Sequence, residues 1–299
     1  HRLSCIPVHM TDLDILPDNY VLEVDAENDT DTMKYVTTED FRIRNKNTDN
    51  YLTKNETMKI FPPCSRTNMY IDFARLRPKI GNTIPGEKLK LNAEFSLHAA
   101  NSNSMFNVVS TCSYGNTLDS VKAKTIWEDH ENKIRADGLT TEELNIQKQN
   151  FYLLDAHRYF KQDCFDFIIQ SVGVFENKDI VKKGCEVLHK KLTDLVHSID
   201  SDMVLIKLSE TSMDFSYDIV LENEDYTIGK VLEYILYEKY FIDQKLLTFC
   251  GFKKFHPHDT DSIIRVAYAQ TTDKNLVAQN LREVCIVAAE IFTKLHKMF

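Results

Sequence analysis

Glu224-Asp225-Tyr226-Thr227-Ile228-Gly229-Lys230, followed by Phe249-Cys250-Gly251-Phe252-Lys253 and His256-Pro257-His258, is the stretch whose reading decides the fold. Just upstream, residues 214–221 alternate. Phe215, Tyr217, Ile219 and Leu221 fall on one side and Asp214, Ser216, Asp218 and Val220 on the other, the pattern of a half-buried strand. At Asp225 the period changes to that of a helix. Asp225 or Thr227 can cap it, acids suit the positive end of its dipole, and Ile228, Val231, Leu232, Ile235 and Leu236 share one face. Gly251 tolerates backbone angles closed to other residues, which predicts a turn there. Pro257 among polar neighbours predicts a connection before a strand over residues 263–268. Residues 273–298 place Leu276, Val277, Leu281, Val284, Cys285, Ala288, Ile291, Phe292 and Leu295 on one helical stripe. With a first strand over residues 203–208, the predicted order is β-β-α-β-β-α.

One sheet face and two one-sided helices leave the outer edges of the helices to be covered. Pairing of helix on helix with another copy of the same fold is therefore expected. The residues upstream contain material for such a partner. Residues 165–172 read as a strand, Gly173 follows, and residues 177–199 read as a helix with Ile180, Val181, Leu188, Leu192, Leu195 and Ile199 on one face. Between residues 11 and 155, strands are predicted over 20–24, 33–37, 40–44, 70–76 and 89–95, separated by Asn, Asp, Pro and Gly. Residues 117–136 are helical in composition and Gly138 suits a stop. Thr140 with Glu143 forms a capping box for a second helix through residue 155. This charged pair reads as a surface excursion anchored by Trp127. The expected class is α+β: antiparallel sheets with two helices on one face, plus a β-rich insert domain carrying a helical excursion.

Composition narrows the function more by exclusion than by assertion. A chain of 299 residues with 43% hydrophobic content can bury two or three cores. No run approaches the roughly 18 apolar residues of a membrane helix, and no signal peptide is visible. A net charge of -9 argues against broad contact with phosphates. The seven cysteines are scattered with no Cys-x-x-Cys pair, so neither zinc nor an iron–sulfur cluster has its ligand spacing. Isolated thiols in a reducing compartment are expected instead. Asp25, Glu27, Asp29 and Asp31 alternate as in a calcium loop. Thr30 stands where that loop needs Gly, and Val36 where it needs Glu, so a solvated acidic turn is expected. His256 and His258 lack a third ligand and read as a polar turn. No phosphate loop, nucleophile elbow or His-Glu-x-x-His segment occurs. No catalytic residue, metal or cofactor is expected, and the sequons at Asn28 and Asn55 carry little weight in a cytosolic protein.

Taken as an ordered set, these motifs resemble those of a known family. The segments Glu224 to Lys230, Gly251-Phe252-Lys253 and His256-Pro257-His258 are similar to the signature of the small L subunit of archaeal RNA polymerase and its eukaryotic counterparts. The N-terminal domain of the bacterial α subunit is a remoter likeness. That signature is an acidic-His-Thr-Leu-Gly-Asn helix start, then Gly-Tyr-Lys, then Pro-His-Pro. The departures here are Tyr226 for His, Lys230 for Asn and Phe252 for Tyr. The opening His1-Arg2-Leu3-Ser4-Cys5-Ile6-Pro7-Val8 resembles the His-Arg-Leu-Gly-Leu-Ile-Pro-Leu segment of the archaeal D subunit and the third-largest eukaryotic subunit. Residues 89–95 followed by His98-Ala99-Ala100 are similar to a further segment of that family.

What the resemblance implies is a fused D/L-type, α-like assembly subunit of a multisubunit DNA-directed RNA polymerase, as in large nucleocytoplasmic DNA viruses. Residues 1–10 with 156–199 would form the D-like dimerisation half, 11–155 its insert domain, and 200–299 the L-like dimerisation domain. The D-like half would need an upstream strand and helix, so His1 is expected to begin a piece of a longer chain. The dimerisation interface would comprise Ile180, Val181, Leu188, Leu192, Ile228, Val231, Leu232, Ile235, Leu281, Val284 and Ile291. Arg2, Leu3 and Pro7 would face the second-largest subunit and small assembly subunits, and Tyr226, Thr227, Gly229 and Lys253 the largest. The expected role is transcription without catalysis, sequence-specific DNA contact or membrane attachment. The expected setting is intracellular: the host cytoplasm and its viral factories, the virion, and the host nucleus. The alternative is a dimerisation or regulatory protein that uses the fold outside any polymerase.

Overall fold

Alternation along the first strand sets the first sheet of the computed structural model, which describes residues 1–81, 83–136, 138–210 and 213–299. A short helix α1 (Leu16–Asn19) leads into β1 (Tyr20–Glu27), which buries Leu22, Val24 and Ala26 and leaves Asp25 and Glu27 exposed. Next come β2 (Lys34–Thr37), β3 (Arg42–Asn45), helix α2 (Lys54–Ile60), β4 (Asp72–Leu76) and β5 (Lys88–Glu94). The strands form an antiparallel sheet in the order β3-β1-β5 and a separate β2-β4 pair. Their shared core holds Leu22, Val24, Val36, Phe41, Ile43 and Leu76, and Ile6 of the opening segment joins it. The opposite face of the sheet is a charge ladder in which Glu23 pairs with Arg44 (2.7 Å), Lys46 with Glu94 (3.2 Å) and Asp25 with Lys90 (3.7 Å).

The acidic stretch after β1 is organised by an amide rather than laid out for a cation. Asn28 is fully buried, and its Nδ2 donates to the carbonyls of Thr32 and Leu76, both at 2.9 Å. Its Oδ1 accepts from the Thr30 backbone N–H (3.1 Å) and hydroxyl (2.7 Å). Asp29 and Asp31 point into solvent.

Two strands absent from or underestimated in the sequence reading follow. β6 (Val109–Leu118) pairs antiparallel with β7 (Phe160–Ser171), and this ribbon carries the helical hairpin of α3 (Ser120–Ala136) and α4 (Thr141–Leu153). The helix expected from residue 117 therefore starts at Ser120, because Thr117 and Leu118 belong to the ribbon. Gly138 adopts φ +81, in keeping with its predicted stop, and the Thr140–Glu143 capping box is present. Trp127, 2% exposed, sits in a small core with Ala123, Leu144, Phe151 and Ala156, and its Nε1 donates to Glu131 at 2.8 Å.

Helix α5 (Asn177–Asp200) opens the second compact unit, residues 178–299. The first unit spans residues 1–177. The expected partition grouped residues 156–199 with the opening segment, whereas the observed units divide between Asn177 and Lys178, which places α5 with residues 200–299. Strands β8 (Ile206–Leu208), β9 (Ser216–Leu221), β10 (Leu247–Lys253) and β11 (Ser262–Tyr268) form an antiparallel sheet in the order β10-β11-β9-β8. Helices α6 (Tyr226–Leu236) and α7 (Lys274–His296) cover one face, so the predicted β-β-α-β-β-α order is observed and the fold is α+β. A π-helical segment, Tyr237–Asp243, extends α6.

Gly251 departs from its expected role. It lies inside β10, paired with Arg265, and the predicted turn is absent. A Cβ there would sit 2.9 Å from the Phe249 ring, so the missing side chain makes room for a neighbouring aromatic rather than freeing the backbone. The same face of the sheet, turned away from the helices, also holds an ion pair: Arg265 grips the buried Asp218, 4% exposed, through two hydrogen bonds of 2.6 and 2.8 Å.

Candidate assembly interface

Helix α6 starts where its sequence says it should. Asp225 takes an extended conformation and accepts the Thr227 backbone N–H at 2.9 Å, which makes Asp225 rather than Thr227 the cap. That backbone hydrogen bond holds the Asp225 carboxyl below its ordinary range. One turn on, Gly229 is buried against the Phe252 ring of β10 so tightly that an added Cβ would lie 1.9 Å from it. Tyr226 stands edge-on to the same ring with centroids 5.1 Å apart, and it remains 57% exposed. The motif residues Tyr226, Gly229 and Phe252 thus form one aromatic joint between helix and strand.

A polar set borders this joint. Glu233 accepts the Phe252 backbone N–H at 3.0 Å and pairs with Lys230. Tyr234, Tyr237, Lys230, Glu233 and Cys250 line a shallow depression between α6 and β10. Burial pushes the Cys250 thiol up to about 12. At the end of the strand, Lys253 lies over the Phe255 ring at 4.4 Å. His256 and His258 are exposed, and the His256 ring nitrogen accepts the His258 backbone N–H at 3.1 Å. Among the described residues no group of three or more His, Cys, Asp or Glu side chains is placed to hold a metal, and no helix is long and apolar enough to cross a membrane.

The predicted interface residues are brought together in large part. Leu192, Ile228, Leu232, Ile235, Leu281 and Val284 are buried in one core, and Leu188 and Val231 pack against it. Ile180 and Val181 are half-buried outside that core, and Ile291 is 42% exposed. Helix α5 therefore lies on the sheet-and-helix unit, antiparallel to α7. Asp200 binds Arg282 at 2.7 Å near one end and Glu186 meets His296 at 3.3 Å near the other. Lys191 reaches Glu224 at 2.8 Å, which ties α5 to the residue before the α6 cap.

Of the predicted outward contacts, Arg2, Tyr226, Thr227 and Lys253 are exposed, Leu3 and Pro7 are half-buried, and Gly229 is buried. Sequence reasoning missed Glu233, Tyr234 and Tyr237. The first satisfies a strand amide and the others protrude beside it, and neither property has a local sequence pattern. No protein-family model matches the chain. No curated protein matches it significantly.

Proposed function

We propose that the chain is a non-catalytic assembly platform of a viral DNA-directed RNA polymerase, an internally fused D/L-type pair on which the two largest subunits converge. The observation that carries this reading is the seating of α5: a helix preceding the β-β-α-β-β-α unit buries Leu192 in the same core as α6 and α7. Packing of this preceding helix onto the helices of the unit, within one chain, supports the reading of a fused pair. The exposed Tyr226 and Lys253, beside the Gly229–Phe252 joint, supply a surface of motif residues for a large partner.

The platform acts by presenting one preformed surface, so that two separate halves of a catalytic cleft meet in a fixed relation. It carries no part of the chemistry, and its working place is the infected cell's cytoplasm with the transcription machinery. Affinity capture of the tagged chain from infected cells tests the reading. Recovery of both largest polymerase subunits at comparable amounts is expected; their absence overturns it.

A further inference from the structure

We draw no further inference here: the strongest candidate, the exposed aromatic face of the β6–β7 ribbon, where the Tyr114 ring stands 6.0 Å from Phe165 and 5.8 Å from Phe167, is an unpartnered apolar face, and nothing in the structure shows what covers it.

Discussion

Gly229 is the residue on which the α6–β10 joint turns. Gly229→Ala places a methyl group inside the Phe252 ring envelope. The ring must shift, at a cost of about 1 to 3 kcal/mol. Urea denaturation should give a lower midpoint with an unchanged slope, and adding Phe252→Ala should recover none of the lost packing while removing the clash. Asp225 makes a separate, pH-linked contribution. Its carboxyl is held low by the Thr227 amide, so the folded state binds fewer protons than the unfolded chain in the acid range. The resulting stability is fully present above the unfolded pKa and is lost as pH falls through the folded one. Thermal melts between about pH 6 and pH 2 should show a smaller acid-induced loss for Asp225→Ala than for the wild type.

At the scale of elements, α5 is held on its unit by one fully buried side chain, a rim of half-buried ones and exposed ion pairs. Leu192→Ala should cost about 2 to 5 kcal/mol, whereas exposed pairs such as Asp200–Arg282 contribute little. Ile228→Asp or Leu232→Asp would put an unpaired charge between sheet and helices, a cost of several kcal/mol. Because both residues are in the core of the unit, circular dichroism should record loss of folding and not a loss of assembly alone. Helices α3 to α7 were legible because their caps and stripes are local, and Asp225, Asp273 and Thr140 all cap where the pattern begins; the short α2, capped by Thr53 and Glu56, was not read. β6 was not, since Ser, Thr, Asn and Gly115 dilute its alternation, and its pairing comes from β7, far along the chain. Gly251 was misread for a related reason. Its role is set by Phe249 and by β11, and a glycine in isolation signals only freedom.

For the molecule as a whole, the two compact units each have their own core, and the first has a satellite core around Trp127. Composition correctly bounded the number of cores, but it could not say that the unit boundary falls at the start of α5, since helix periodicity does not reveal which neighbour will bury its stripe. Outward candidates were the hardest to read. Exposure of Tyr226 and Lys253 depends on the assembled sheet, and Gly229, drawn from the same motif, is buried.

The cysteines show what this division implies in practice. Cys64 is exposed and its thiol is lowered to about 7 by the Thr67 hydroxyl and the Arg66 and Thr67 amides. In the second unit, desolvation holds Cys250 and Cys285 near 12. A maleimide applied at neutral pH therefore reads the chain as a clock: Cys64 alkylates at once, and modification of Cys285 waits on the opening of the unit that encloses it.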